Sequence, residues 1–294
     1  MRVFLTGATG LIGSALVPEL IHAGHQVLGL IRSEAGAQSL LAAGAEVLRG
    51  NLEEHEMLRK GAAQSDGVIH CAFDHDSAKF EESGKIEKHA LAALGSSLAG
   101  SDRPLLISAG LGLPSPKRPV TEDVDAPDVS TSPRSPEQAA HALRSQGINV
   151  TLVRVPQVHN RVKQGLITTL IAVAREKGFS AYVGEGVNCW PAAHVTDVAR
   201  LYRLALEKRE PSRYHAVAEE GIALRDIAVA IGNGLNVSVV SIPPEEALAH
   251  FGRVGGYVGL DLSASSAITQ QRLGWFATGP GLMEDLEHMR YFED

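Results

Sequence analysis

Thr6-Gly7-Ala8-Thr9-Gly10-Leu11-Ile12-Gly13 follows the apolar run Val3-Phe4-Leu5 and opens a helical pattern from Leu11 to Ile21. The order is strand, tight turn, helix start. Gly7 permits backbone geometry that a side chain forbids, Gly10 lets the chain approach a ligand closely, and Gly13 lets the helix pack tightly on the strand. The first helical N–H groups, with the positive end of the helix dipole behind them, suit a diphosphate. A glycine-rich turn can also be a mere connection. Here the strand starts almost at Met1, the helix is amphipathic and a second strand follows Gly24, which is the context of a dinucleotide site. Gly7, Thr9, Gly10, Leu11, Ile12 and Gly13 are its expected contacts.

Composition narrows the partners. The 294 residues are 44% hydrophobic and 21% charged, enough for one large or two closely joined globular units with a substantial core. A formal net charge of -7 supplies no global basic field, which argues against nucleic acid and anionic membrane as partners and leaves any anion to local groups. Cys71 and Cys189 are far apart and match no metal or redox spacing, so a reduced, cytoplasmic setting is expected. No apolar run reaches membrane-spanning length. Pro18, Glu19 and His22 break the N-terminal apolar region, which therefore does not read as a signal peptide.

Strand-like runs at Val3–Leu5, Gln26–Ile31, Glu46–Leu48, Gly67–His70, Leu105–Ser108 and Val150–Val155 alternate with helical runs. The helices are expected at Ala35–Ala43, Glu54–Ala63, Lys79–Leu98 and Pro136–Ser145. This alternation predicts an α/β fold, a Rossmann-type doubly wound parallel sheet with helices on both faces, over residues 1–155. Residues 156–294 are expected to form a smaller substrate-binding lobe, partly interleaved with the first. Helices are expected there at Gly165–Lys177, Asp197–Lys208 and Leu224–Gly232, and short strands near Tyr214–Ala218 and Val237–Ile242. The stretch Ala109–Ser132, with four prolines and the acidic residues Glu122, Asp123, Asp125 and Asp128, is too long for an ordinary connection and reads as a lid or binding loop.

The second strand ends at Arg32-Ser33, where a carboxylate would select NAD. Arg32 either forks onto a 2′-phosphate, favouring NADP, or is a solvated strand-end cation partly neutralised by Glu34. The cluster His70, Cys71, Asp74, His75 and Asp76 invites a metal reading. His70 and Cys71 should point to opposite faces of a strand and no four-ligand spacing recurs, so no metal is expected.

The Thr6-Gly7-x-x-Gly10-x-x-Gly13 spacing resembles the T-G-x-x-G-x-x-G turn of extended and atypical short-chain dehydrogenases/reductases, the NAD-dependent epimerase/dehydratase-like family. The resemblance runs on through most of the chain. Asn51-Leu52 is similar to the family's pair near the adenine, and Cys71-Ala72-Phe73 to the segment beneath the nicotinamide ribose. Arg154-Val155-Pro156-Gln157-Val158 resembles the Arg-x-Pro segment turning over the nicotinamide, which implies that Pro156 and Val158 lie by the cofactor. His194-Val195-Thr196-Asp197-Val198-Ala199 and Leu273-Gly274-Trp275 match later family segments.

Catalysis departs from the family. Its Tyr-x-x-x-Lys pair belongs near Ser132-Pro133-Arg134-Ser135-Pro136-Glu137-Gln138, where neither residue occurs, and no later Tyr has a Lys four residues on. Polar work at the nicotinamide then falls to a few side chains. Ser108 either donates to a substrate carbonyl or caps the strand end. Arg134 or Glu137 orients an acidic or carbonyl substrate or is merely solvated, and His194 is a proton donor or a structural helix-start residue. Tyr182 and Tyr257 stand in Gly-rich segments and are the tyrosines best placed to reach a substrate, more readily as pocket walls than as acids.

The expected protein is an NADP-dependent oxidoreductase, monomer or homodimer, passing hydride to a small carbonyl, imine or activated alkene. An NADP-binding redox sensor without chemistry is the alternative from another class. An epimerase or dehydratase ranks third, because those activities lean on the missing Tyr.

Overall fold

The first strand is buried from Val3 to Thr6, as its unbroken apolar run requires, and the other strands of the main sheet assemble beside it. The computed structural model describes residues 1–112, 117–126 and 134–289. Asp128, Ser132 and Pro133, and with them parts of the expected long loop, lie outside the described residues.

In chain order the elements begin β1 Arg2–Thr6, α1 Leu11–His22, β2 Gln26–Ile31, α2 Glu34–Ala42, β3 Glu46–Arg49, α3 His55–Ala63, β4 Gly67–His70, α4 Phe80–Leu98, β5 Leu105–Gly110, α5 Pro136–Ser145 and β6 Val150–Val155. They continue as β7 Gln157–His159, α6 Ile167–Lys177, β8 Phe179–Val183, β9 Cys189–His194, α7 Val195–Lys208, β10 Arg213–His215, β11 Glu219–Ala223, α8 Leu224–Leu235 and β12 Ser238–Ile242. Four short helices follow, α9 Ala247–Phe251, α10 Gly255–Val258, α11 Ala267–Leu273 and α12 Leu282–Glu287.

One unit comprises Met1–Ala109, Asp125–Arg154 and Val198–Tyr214. Its seven-stranded sheet has the order β10-β6-β5-β4-β1-β2-β3, and β1 pairs in parallel with both β2 and β4. This is the Rossmann-type α/β sheet expected from the alternation of strand and helix. Phe4, Leu28, Val68, Leu94, Leu105 and Leu152 belong to its apolar core. Ser33 caps α2 by accepting the Gly36 N–H at 3.1 Å, which explains the abrupt start of that helix after β2. Expected and observed bounds agree to within a residue or two, with one extension: β5 runs past Ser108 to Gly110.

The other unit comprises Gly110–Val124, Val155–Asp197 and His215–Asp294. It contains a three-stranded sheet, β11-β9-β7, and the parallel pair β12-β8. The strand expected over Tyr214–Ala218 is shorter and earlier, at Arg213–His215. Trp190, Leu224, Ile227, Phe251 and Leu286 are among its buried core residues. Left-handed residues close three of its helices, Gly178, Asn236 and Gly274.

No helix among the described residues is long and apolar enough to cross a membrane.

Helix α3 meets the main sheet at Gly61, where an added Cβ would intrude on the fully buried Phe4 ring. Gly61→Ala is expected to cost about 1–3 kcal/mol through overpacking, read as a lower urea midpoint with an unchanged slope.

Candidate functional site: the strand ends of the first unit

At the end of β1 two backbones come close enough to exclude side chains. Gly7 has φ +75°, and a Cβ there would lie 2.7 Å from Ala72 N, at the end of β4. A Cβ at Gly13 would overlap Gly7 O and Ala8 Cα. Gly10 differs: its N–H donates to Gly7 O at 2.9 Å, and a Cβ would meet only that oxygen, at 3.3 Å. Thr9 and Gly10 are exposed, while Leu11 and Ile12 begin α1 half-buried. The turn is thus closed on its inner side and open at Gly10, the cradle a diphosphate needs.

The neighbouring strand ends carry the adenosine-side candidates. Arg32 is exposed and makes no ion pair among the described residues. Glu34, which would partly neutralise Arg32 in the solvated-cation alternative, binds Arg49 Nη2 at 2.5 Å. Asn51 caps the turn into α3, accepting from the N–H groups of Glu53 at 2.8 Å and Glu54 at 3.2 Å and donating to the Glu54 carboxylate at 2.7 Å. Its side chain is engaged locally, and Leu52 packs against the first unit's core.

Beyond β4 the polar groups form a buried network. His70 Nδ1 is 2.8 Å from Thr6 Oγ1, while its Nε2 lies 3.9 Å from Glu87 Oε1 with no hydrogen bond. Burial first, and the Arg134 charge second, push the His70 pKa down to about 3, so the ring is neutral. Glu87, on α4, is forked by Arg134, with contacts of 2.8–3.1 Å. Arg134 also donates to Ser108 O at 3.3 Å and lies 4.1 Å above the Phe73 ring centre. Ser108 Oγ donates its single proton to His70 O at 2.9 Å, and it lies 2.6 Å from the Tyr202 hydroxyl and 3.3 Å from Cys71 Sγ. Desolvation raises the Cys71 thiol to about 11, so it stays protonated. Tyr202 is fully buried and its phenol is pushed well above its usual value, again chiefly by burial.

Glu137 belongs to a second pair. Its carboxylate takes the Arg154 Nε at 2.6 Å and Nη2 at 2.8 Å, and Arg154 is fully buried. That geometry binds α5 to β6. Of the four expected catalytic residues, then, Ser108 and Arg134 share one network and Glu137 lies in another.

His194 lies in the second unit, where β7 and β9 run parallel and place it beside His159. Its Nδ1 is 2.7 Å from Thr196 Oγ1 at the start of α7, and its Nε2 is 3.7 Å from Asp285 Oδ2. Asp285 is hydrogen-bonded to His159 Nδ1 at 2.7 Å, and both are fully buried. Pro156 is half-buried between β6 and β7, and Val158 is buried within β7. Among the described residues no three His, Cys, Asp or Glu side chains converge as a metal site would require.

Glu87 and Tyr202 escaped the sequence reading, yet both left a signal. On α4, Ser83, Glu87, Ala90, Leu91 and Leu94 share a buried face, and a carboxylate in such a stripe must find a cation. On α7, Tyr202 joins the buried residues Val198, Ala199, Ala205 and Leu206, and a buried phenol must find a hydrogen-bond partner.

Residues 7–182 match the NAD(P)H-binding family model. An uncharacterized protein of Schizosaccharomyces pombe is 44% identical over 295 residues, covering 99% of this chain and all of the relative. A 4-hydroxy-2-methyl-3-oxo-4-farnesyl-3,4-dihydroquinoline-1-oxide ketoreductase of Stigmatella aurantiaca is 26% identical, covering 86% of this chain and 80% of that protein. The fold matches Thermus thermophilus UDP-glucose 4-epimerase in complex with NAD, with a TM-score of 0.75 at 20% identity over 98% of this chain and 97% of that one. The chain belongs to the NAD(P)H-binding family.

Two outcomes follow from this geometry. Gly10→Val is expected to abolish dinucleotide binding with near-native circular dichroism, whereas Gly13→Ala, which collides with backbone, should lower the melting temperature itself. His70 is neutral when folded and accepts a proton near 6.5 when unfolded, so the unfolded chain holds the extra proton between about 6.5 and about 3. Stability should fall with acidification through that window. Glu87, raised by burial, has the opposite sign, so comparing urea midpoints against pH for wild type and His70→Asn isolates the histidine: the acid-side slope should flatten in the variant.

Proposed function

We propose that this protein is an NADP-dependent oxidoreductase that transfers hydride to a small, polarised carbonyl, imine or activated alkene without a Tyr-x-x-x-Lys relay. Arg32 carries the reading: an exposed guanidinium at the end of β2, in the position where an acid would select NAD, with no carboxylate paired to it among the described residues. The open face of Gly10 supports diphosphate binding at the turn, and the backbone of Cys71-Ala72-Phe73 is assigned to the nicotinamide ribose. When bound, the dinucleotide supplies the hydride. Arg134, restrained by Glu87, orients the electron-rich end of the acceptor, and the proton comes from water or the substrate, as polarised acceptors allow. The ketoreductase relative supports an acceptor of this kind. Substrate selection is assigned to the chain after residue 155, and a cytoplasmic setting is supported by the free thiols Cys71 and Cys189.

A second reading, an NADP-binding regulator without chemistry, is favoured by one observation: Ser108, Arg134 and Glu137 all spend hydrogen bonds inside the protein. NADPH oxidation against a panel of ketones, imines and enones separates the two. Nucleotide-sugar epimerisation or dehydration ranks third for want of a Tyr-Lys pair.

In calorimetric titrations NADPH should bind at least about tenfold more tightly than NADH, the worth of about 1.4 kcal/mol, and Arg32→Ala should erase the difference. Tyr182→Phe and Tyr257→Phe should each slow turnover less than about a hundredfold, the low end of a general acid's contribution. Equal affinities would remove the NADP assignment, and a far larger loss in either Tyr variant would identify that phenol as the proton donor.

A further inference from the structure

Resting on the NADP reading above, we infer that Arg49 is a second determinant of cofactor choice and that Glu34 sets its strength. The parallel pairing of β2 with β3 places Arg49 beside Ile31, one residue before Arg32, and the Gly50 N–H continues the ladder to Ile31 O at 3.1 Å. The backbone of Arg49 is therefore fixed against the strand end that carries Arg32. Its guanidinium reaches Glu34, the first residue of α2, at 2.5 Å. Two cations and one carboxylate thus occupy adjoining strand ends, in the region assigned to the adenosine ribose.

Exposure decides what this ion pair can do. The Arg49 and Glu34 side chains are 52% and 70% exposed, so the pair is a weak surface link whose partners exchange readily. A 2′-phosphate carries more negative charge than a carboxylate and accepts the same guanidinium fork, so it competes well for Arg49. The ribose hydroxyls of NAD carry no charge and leave the pair closed. Glu34 opposes the phosphate twice over, by holding Arg49 and by its own charge.

Dissociation constants for NADPH and NADH, by fluorescence titration of the whole protein, test this in wild type, Arg49→Gln, Glu34→Gln and the double variant, with urea unfolding as the control for the fold. Arg49→Gln should weaken NADPH about three- to tenfold and leave NADH unchanged. Glu34→Gln should tighten NADPH about two- to fivefold, with a smaller gain when Arg49 is already replaced. If wild type prefers NADPH but Arg49→Gln leaves the ratio of the two constants untouched, or lowers only stability, Arg49 is no determinant and the inference fails while the NADP reading stands. If wild type binds the two equally well, the NADP reading itself fails and takes the inference with it.

Discussion

The close approach of β1 to the end of β4 governs what the strand ends can become. Gly7 sits against Ala72 N, and Gly13 presses α1 onto Gly7 O, so a side chain at either position would push two backbones apart. Helix α1 starts five residues after the end of β1, and the N–H groups of its first turn have no partner within the helix. The register of β1 with β2 and β4 and the tightness of the turn are two aspects of the same packing.

Behind that edge, desolvation dictates the chemistry. Thr6, His70, Glu87 and Tyr202 are all buried, and each polar group there must be neutral or paired. Neutrality is the solution for His70 and Cys71, whose shifts both favour the uncharged form. Pairing is the solution for Glu87, through Arg134, and for Arg154, through Glu137. Breaking a pair of this kind would strand a charge in the core, typically a loss of about 3–5 kcal/mol. The network fixes the ends of β4 and β5, and it also keeps the Ser108 hydroxyl and the Arg134 guanidinium busy.

The first half of the fold was legible because its strands are buried on both faces and alternate with amphipathic helices, a pattern local windows capture. Gln26–Ile31, Gly67–His70, Val150–Val155 and Pro136–Ser145 were read to the residue. Strands β7, β8, β9 and β11 were not read: β7 has three residues, and the register of β11 shifts against β9. The Arg49–Glu34 pair has no local signature for a related reason. Glu34 and Arg49 are fifteen residues apart, and only the register of β3 against β2 brings Arg49 to that edge. Asp285, which joins His159 beside His194, has no local signature, since α12 reaches β7 only through tertiary packing.

The three glycines of the turn differ in what demands them. Gly7 needs its positive φ and its lack of a side chain, and Gly13 needs the space that Gly7 O occupies. Gly10 answers to neither requirement. Its backbone is extended, at φ −76° and ψ 177°, a conformation any residue adopts, and a methyl group there would meet one oxygen at 3.3 Å. Glycine in place of alanine costs folding free energy through the entropy of the unfolded chain, about 0.4–1 kcal/mol where the native backbone suits both. Gly10 is the N-cap of α1, where glycine is favoured over alanine, so the folded chain offsets part of that cost. Beyond Cα the space is open but for that oxygen, and the N–H groups of the first helical turn, at the positive end of the α1 dipole, are of the kind that favours an anion.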